Sequence, residues 1–200
     1  MDVIVNADDL GISKVVNNAV FALMDDGLVT SATLMANGPY IEEACRELPR
    51  FPQFSFGVHL NATEFHPISS SPGLKPLLNS DGAFDGQKIR EVAVDRGLSD
   101  GLFEEFCAQI EKLRSLGASP SHIDSHNYIA SMPRLFPILK RVQKKYGIRK
   151  VRITRNIYAD GLLTQTALTA RQLSLDPDTK DQDITKTLRV KKWIYNFLLK

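Results

Sequence analysis

The sequence predicts an α/β fold with a parallel sheet, because short apolar strands alternate along it with helical patterns. Residues 3–7 are a short apolar run of the length that buried strands have, and residues 30–36 and 54–61 are two further predicted strands. Residues 40–48 form a helical pattern between the second and third of these runs. With 200 residues, of which 43% are hydrophobic, the chain suits a single domain, residues 1–200, with a sizeable core.

The predicted helices carry recognisable start and stop signals. Ser13 can cap a helix whose apolar positions recur about every 3.6 residues, and Gly27 ends that helix. Residues 155–183 give only a weak pattern. In the rest of the chain, the same rules predict helices at residues 102–116 and 137–146 and strands at residues 121–124 and 150–153.

Two segments interrupt the alternation. Residues 67–86 are rich in Ser, Pro, Gly, Asn and Asp and show no sustained period, which is typical of a loop. Loops longer than about 12 to 15 residues in a compact domain usually act as lids or are disordered, so we expect this one to border the pocket and to be mobile. Residues 193–199 form an apolar helical segment, which we expect to pack on the rest of the fold or on a second copy, as in a homo-oligomer.

The composition argues against several classes of partner. A net charge of +2, from 25 basic and 23 acidic residues, gives no strong field to attract nucleic acid or an anionic membrane. No apolar run reaches the roughly 18 residues that a membrane span needs. The partner expected is therefore a small molecule. Because Asp2 and an apolar strand follow Met1 directly, and the two cysteines suggest no disulfide framework, the expected location is the cytoplasm.

Four polar residues lie at the predicted strand ends, and they are Asp8, Asp9, His59 and His126. In parallel α/β folds the carboxyl ends of the strands meet at one edge, where ligands bind. Two carboxylates and two imidazoles at one edge supply ligands that suit zinc or a similar divalent ion. The alternative is structural: the two aspartates can cap the following helix, and each histidine can be a hydrogen-bonded core residue.

The residues around His126 extend this pattern. His122, Asp124 and His126 alternate along an extended chain, so they share one side of it if the strand continues. We expect Asp124 to orient a ligand histidine. His122 is expected to lie deeper or to support the loop, and His66 to be solvated.

Three segments together resemble the ordered motifs of the YdjC-like carbohydrate deacetylases, a family that includes the chitooligosaccharide deacetylases and is distantly similar to NodB-type polysaccharide deacetylases. The segments are NADDLG at residues 6–11, GVHLNATE at residues 57–64 and SHIDSH at residues 121–126. The resemblance runs from the first strand to about Arg152. It implies a deformed (β/α) barrel and a metal-dependent hydrolase that removes N-acetyl groups from amino sugars or short oligosaccharides.

The resemblance also assigns roles to single residues. Asp9, His59 and His126 match the metal ligands of the family, and Asp8 matches the carboxylate taken as general base. The implied cofactor is one divalent ion, zinc or magnesium, since an aspartate with two histidines does not fix the metal. Arg152 is expected to pair with Asp8 or to hold substrate hydroxyls, although a structural ion pair explains it equally well. For Asn61 we expect a hydrogen bond to the sugar or to loop backbone.

Two departures from the family pattern leave alternatives open. Relatives commonly continue the third motif with further histidines, where this chain has NYIA at residues 127–130, so its substrate can differ. Relatives also carry a late His-Pro motif, whereas no histidine follows His126 here. Either another group protonates the leaving amine, or the chain is a truncated or degenerate relative that binds sugar without turnover. A metal phosphoesterase is a third and weaker hypothesis, because the sequence has no dense two-metal ligand set and no Gly-rich phosphate loop.

Overall fold

The computed structural model describes residues 4–152, and within them five parallel strands form one sheet in sequential order. The strands are β1 (Asn6–Leu10), β2 (Ser31–Leu34), β3 (Ser55–Leu60), β4 (His122–Ser125) and β5 (Lys150–Val151). The α-helices are α1 (Lys14–Asp25), α2 (Ile41–Glu47), α3 (Lys88–Glu91), α4 (Arg96–Ser115) and α5 (Phe136–Tyr146). Short 3-10 segments lie at Leu48–Arg50, Pro72–Leu77, His126–Ser131 and Pro133–Leu135. The predicted α/β class with a parallel sheet is confirmed.

Each strand pairs in parallel with the strand before it, so all five carboxyl ends meet at one edge of the sheet. A helix crosses between neighbouring strands because parallel strands need a long connection. All four residues of β2 are buried, as expected for a strand in the middle of a covered sheet. Helix α1 begins after Ser13, whose hydroxyl accepts a hydrogen bond from the Val16 backbone N–H. Asp8 and Asp9 therefore do not cap this helix.

The first strand differs from its prediction by three residues. It runs over Asn6–Leu10 rather than residues 3–7, so Asp8 and Asp9 lie inside the strand and not in the turn after it. Its pairing with β2 is irregular between Ala7 and Leu10, and Asp9 has a left-handed backbone with a φ of 65°. A bulge of this kind redirects a side chain while the strand continues, and sequence patterns alone do not reveal it.

The long loop at residues 67–86 is partly anchored. Its 3-10 segment buries Leu74 and Leu77 completely, and packs on α4. Close contact requires a glycine here, since a Cβ on Gly73 would lie 2.2 Å from the carbonyl oxygen of Gly97. The expected mobility of residues 67–86 stays a prediction.

Three sequence predictions fall on residues that the structure does not describe. They are the last residue of the predicted strand 150–153, the weak pattern at residues 155–183 and the apolar segment at residues 193–199. Between residues 4 and 152, no helix combines the length and the hydrophobicity that crossing a membrane requires.

Candidate metal centre

One carboxylate oxygen lies between two imidazoles at the carboxyl edge of the sheet. Oδ1 of Asp9 is 3.0 Å from Nε2 of His59 and 2.8 Å from Nδ1 of His126. His59 belongs to β3 and His126 follows β4, so three different strands supply the group. The imidazole of His59 is almost completely buried at 2% exposure, while the Asp9 side chain remains 34% exposed.

The far side of the His59 ring is held by polar groups of the two neighbouring strands. Its Nδ1 lies 3.1 Å from the hydroxyl of Thr33 and 3.5 Å from Oδ2 of Asp124. Asp124 pairs with His59 in the register of β3 and β4, which places both side chains on the same face. This is the position expected for Asp124 beside a ligand histidine. Sequence reasoning missed this contact of Thr33, for which the available signal was a hydroxyl side chain inside a predicted strand.

Asp8 faces a different partner from Asp9. Both of its carboxylate oxygens lie 2.7 Å from guanidinium nitrogens of Arg152, and Asn6 donates a further hydrogen bond to Oδ1. Arg152 also reaches Oδ2 of Asp124 at 2.9 Å. The two adjacent aspartates thus point to separate surroundings, one to the imidazoles and one to the arginine.

These contacts shift the titration of the three clustered groups. Burial opposes ionisation of Asp9, but hydrogen bonds with His126 and His59 outweigh it and hold the Asp9 pKa well below its usual range. Burial likewise opposes protonation of His59, yet Asp124 and Asp9 raise its pKa to about 9. For His126 burial is again outweighed, chiefly by Asp9, and the pKa is raised. The site therefore favours positive charge beside Asp9.

The pKa of Asp8 is also shifted by a neighbouring cation, which here is Arg152. Burial works against its charged form, but the Arg152 guanidinium prevails and lowers the pKa of Asp8. Asp8 is consequently ionised at neutral pH. The pKa of Arg152 is raised, because Asp8 and Asp124 outweigh the cost of its burial.

The donor set around Asp9 fits a divalent ion. One oxygen and two nitrogen donors lie within 4.8 Å of one another, and the site is partly open, which suits a catalytic metal that keeps positions free. Asp8, His59 and Asp124 form a second cluster of the same span. That cluster is already neutralised by the guanidinium of Arg152, so the cluster around Asp9 is the one that fits an ion.

Asn61, for which we expected a sugar or backbone contact, is completely buried at the end of β3. Its side-chain amide donates to the backbone oxygen of Glu64 at 2.8 Å and to Oδ1 of Asn37 at 3.0 Å. Its side-chain oxygen accepts from the backbone N–H groups of Thr63 and Glu64. The described structure thus shows the backbone contact, and the sugar contact stays a prediction.

Glu64 is a further residue that sequence reasoning left without a role. Its Oε1 lies 3.3 Å from Nε2 of His126, on the side of the ring opposite Asp9. The carboxylate is 47% exposed and belongs to the opening of the site. Its position at the end of the second motif was the only sequence signal.

Asn127 and Tyr128 begin the NYIA segment that follows the third motif. Both residues have left-handed backbone conformations, with φ of 52° and 60°. Such conformations cost about 1 to 3 kcal/mol each and persist only when neighbouring contacts hold them. Two hydrogen bonds hold Asn127. Arg90 donates to its backbone oxygen, and its side-chain amide donates to the hydroxyl of Thr63. The side chain of Tyr128 remains exposed.

The two other histidines lie outside the cluster. His122 is at the start of β4, and a Cβ on Gly57 would lie 2.5 Å from its ring, so the glycine makes room for the imidazole. Burial lowers the pKa of His122. His66 is exposed just before the long loop at residues 67–86, and its ring contacts the backbone oxygen of Asp81 in that loop.

The geometry agrees with what comparisons with known proteins show. The family model described as YdjC-like protein matches residues 2–197. The chain belongs to the YdjC-like family. The resemblance expected from the three motifs is confirmed.

Three curated relatives of this YdjC-like chain are deacetylases by name. It is 37% identical over 173 residues to a carbohydrate deacetylase of Geobacillus stearothermophilus, covering 80% of this chain and 68% of that protein. It is 34% identical over 149 residues to a carbohydrate deacetylase of Halalkalibacterium halodurans, covering 74% and 62%. It is also 34% identical over 175 residues to the chitooligosaccharide deacetylase of Salmonella typhimurium, covering 86% and 64%. The YdjC-like chain thus spans about two thirds of the length of these relatives.

One solved structure shares the fold. It is a protein of Enterococcus faecalis V583 that is provisionally assigned to cellobiose-phosphate cleavage. The two chains superpose with a TM-score of 0.69 at 27% sequence identity, over 96% of the YdjC-like chain and 74% of the other.

Proposed function

We propose that this YdjC-like protein is a metal-dependent carbohydrate deacetylase, which hydrolyses the linear amide C–N bond of an N-acetylated amino sugar or short oligosaccharide. The observation that carries the proposal is the meeting of Asp9, His59 and His126, with Asp8 paired to Arg152 beside them. The names of the curated relatives support the substrate class. The substrate is a small molecule, and no part of the proposal requires nucleic acid or a membrane.

In this proposal Asp9, His59 and His126 hold one divalent ion, zinc or magnesium. Such an ion, when bound, polarises the acetyl carbonyl and makes an attacking water more acidic. Asp9 remains ionised and so supplies the negative charge of the ligand set. His59 is kept in place by Thr33 and Asp124, which fix the ring so that its Nε2 points at the site.

Asp8 is the proposed general base. A carboxylate oxygen can accept more than one hydrogen bond, so Oδ2 can bind Arg152 and still receive a proton from the attacking water. Arg152 keeps the carboxylate ionised and fixes its orientation. We further propose that Asp8, which holds the proton taken from the water, returns it to the leaving amine. The products are then acetate and the free amino sugar.

Mass spectrometry of N-acetylglucosamine oligomers incubated with zinc-loaded protein tests the proposal. We expect the loss of at least one acetyl group from the oligomer and the release of acetate, and we expect neither with the Asp8→Asn variant. If oligomers bound the protein but kept every acetyl group, the non-catalytic sugar-binding alternative would replace the deacetylase. Absence of both binding and turnover with all oligomers and metals tested would refute the proposed substrate class.

A further inference from the structure

Each imidazole of the metal centre has two nitrogens, and both rings turn one nitrogen towards the same oxygen of Asp9. The second nitrogen of His59 faces a carboxylate of Asp124. Metal-binding histidines commonly donate their other ring N–H to a carboxylate or carbonyl, which fixes the tautomer and raises the basicity of the ligand nitrogen. His59 already shows this arrangement.

The second nitrogen of His126, unlike that of His59, lacks a hydrogen-bond partner within the described residues. Nε2 is buried, and it makes no well-aligned hydrogen bond within the described residues. The carboxylate oxygen Oε1 of Glu64 lies 3.3 Å from this nitrogen. The distance is that of an ion pair, but the two atoms do not have the geometry of a hydrogen bond. A buried N–H without a hydrogen-bond partner is unfavourable, so a small rotation of the half-exposed Glu64 side chain towards it is favourable.

The backbone of Glu64 is fixed independently of its side chain. Its N–H donates to Oδ1 of Asn61, and its carbonyl oxygen accepts from the amides of Asn61 and Asn37. Asn61 is in turn held at its own backbone by Gln109 of α4. The carboxylate therefore starts from a defined point beside His126, and only its side-chain torsions are free.

We infer that Glu64 is a positioning residue for His126, doing for this imidazole what Asp124 does for that of His59. Glu64 accepts the Nε2 proton, so Nδ1 is left as the nitrogen that faces Asp9 and the ion. The inference rests on the proposed metal centre and adds a residue to it. It also gives Asn61 a purpose at the site, as the side chain that fixes the position of Glu64.

Zinc affinity of the full chain without any sugar tests this role directly. Competition with a chromophoric chelator should show zinc binding weakened by about 10-fold to 100-fold in Glu64→Ala, the usual loss when such a partner is removed. Glu64→Gln keeps an acceptor oxygen and should lose less. Glu104→Gln, at an exposed position of α4, is the matched control and should bind zinc like the wild type. If Glu64→Ala bound zinc as tightly as this control, the inference would be overturned.

Nuclear magnetic resonance separates positioning from a general structural effect. In zinc-loaded protein with isotope-labelled histidine, the Nε2 proton of His126 should resonate downfield and exchange slowly. Glu64→Ala should move and broaden this signal and leave the Nδ1 proton of His59 unchanged, whereas Asp124→Asn should affect His59 first. Equal perturbation of both signals by Glu64→Ala would contradict the assignment.

The two proposals fail in different ways. Wild-type protein that binds zinc but releases no acetate refutes the deacetylase, and the zinc affinities of the Glu64 variants still decide the positioning role. Wild-type protein that deacetylates sugar while Glu64→Ala keeps full zinc affinity refutes the role of Glu64 alone. If wild-type protein binds no divalent ion, both proposals are refuted.

Discussion

Arg152 and Asp8 form a bidentate ion pair, in which the two terminal guanidinium nitrogens each lie 2.7 Å from a different carboxylate oxygen. The same guanidinium lies 2.9 Å from Asp124, which in turn faces His59. One arginine after β5 thus connects the proposed base to the group that orients a proposed ligand. A planar guanidinium matches two carboxylate oxygens at once, which the point charge of a lysine does not.

The first prediction concerns the pH profile of Arg152→Lys. Since Arg152 lowers the pKa of Asp8, the base is ionised and active well into the acidic range. Loss of the bidentate contact should raise the pKa of Asp8, because burial then opposes the carboxylate charge while the cation at position 152 stabilises it less. The acidic limb of kcat/KM should move to higher pH, and the plateau should fall. Arg141→Lys, in an exposed pair with Asp100, is the control and should keep the wild-type profile. An unshifted acidic limb in Arg152→Lys would remove Asp8 from the role of base.

The meeting of Asp9, His59 and His126 could be predicted from the sequence, because parallel strands bring their carboxyl ends to one edge. The conformation of Asp9 could not. A bulge depends on how the residues of β1 align with those of β2. The residue pattern of a single segment does not give that alignment. The prediction therefore ended the strand before Asp8, where two acidic residues resemble a turn.

The supporting contacts were harder to predict for a different reason. Thr33 and Glu64 reach the cluster from another strand and from a loop, and their roles depend on side-chain directions rather than on spacing. Asp124 and Arg152 were the exceptions. The alternation of Asp124 with His126 along one segment already placed it nearby, and a pair with Asp8 was one of the two roles expected for Arg152. Local periodicity predicts which edge of the sheet a residue reaches, but it does not predict its partner there.

A second prediction tests the hydroxyl of Thr33. The side chain is completely buried and lies 3.1 Å from Nδ1 of His59 and 3.4 Å from Asp124. Thr33→Val keeps the shape but removes the hydrogen-bonding group, which should reduce the free energy of unfolding by about 1 to 3 kcal/mol. Zinc binding should weaken as well, because His59 loses one of two contacts that orient it. Urea unfolding and zinc titration measure both effects, with the exposed Thr30→Val as control. Unchanged zinc affinity would show that Asp124 alone orients His59.

The third prediction concerns the stability of metal-free protein against pH. The folded-state pKa of His59 is about 9, above the value of about 6.5 in an unfolded chain. Its protonated form therefore stabilises the fold fully below pH 6.5, and this contribution is lost as the pH rises through 9. At about 1.4 kcal/mol for each pKa unit, the loss amounts to at most about 3 to 4 kcal/mol.

Urea unfolding in the presence of a chelator, between pH 6 and pH 10, measures this contribution as the change in the free energy of unfolding. Replacing His59 with Asn should remove most of the decline, whereas the exposed His66→Ala should retain it. A free energy of unfolding that rose between pH 6.5 and 9 in the wild type would contradict the raised pKa of His59.

The last prediction separates the two adjacent aspartates. Asp9 faces the imidazoles and Asp8 faces Arg152. Replacing one carboxylate should therefore have a different effect on metal binding and rate from replacing the other. Asp9→Asn replaces a charged ligand with a neutral amide and should weaken metal binding strongly. Asp8→Asn should leave the ion bound but remove the base, which lowers the rate by about 10² to 10⁴ if its contribution is typical.

Metal content and turnover must therefore be measured on both aspartate variants. Because Asp8 also neutralises Arg152, a milder variant is needed, and Asp8→Glu should recover part of the rate if the carboxylate itself takes the proton. An Asp8→Asn protein without metal, beside an Asp9→Asn protein that keeps the ion and loses only turnover, would reverse the two roles. If neither substitution changed metal content or rate, both aspartates would be structural residues of β1, and the ion would have to bind elsewhere.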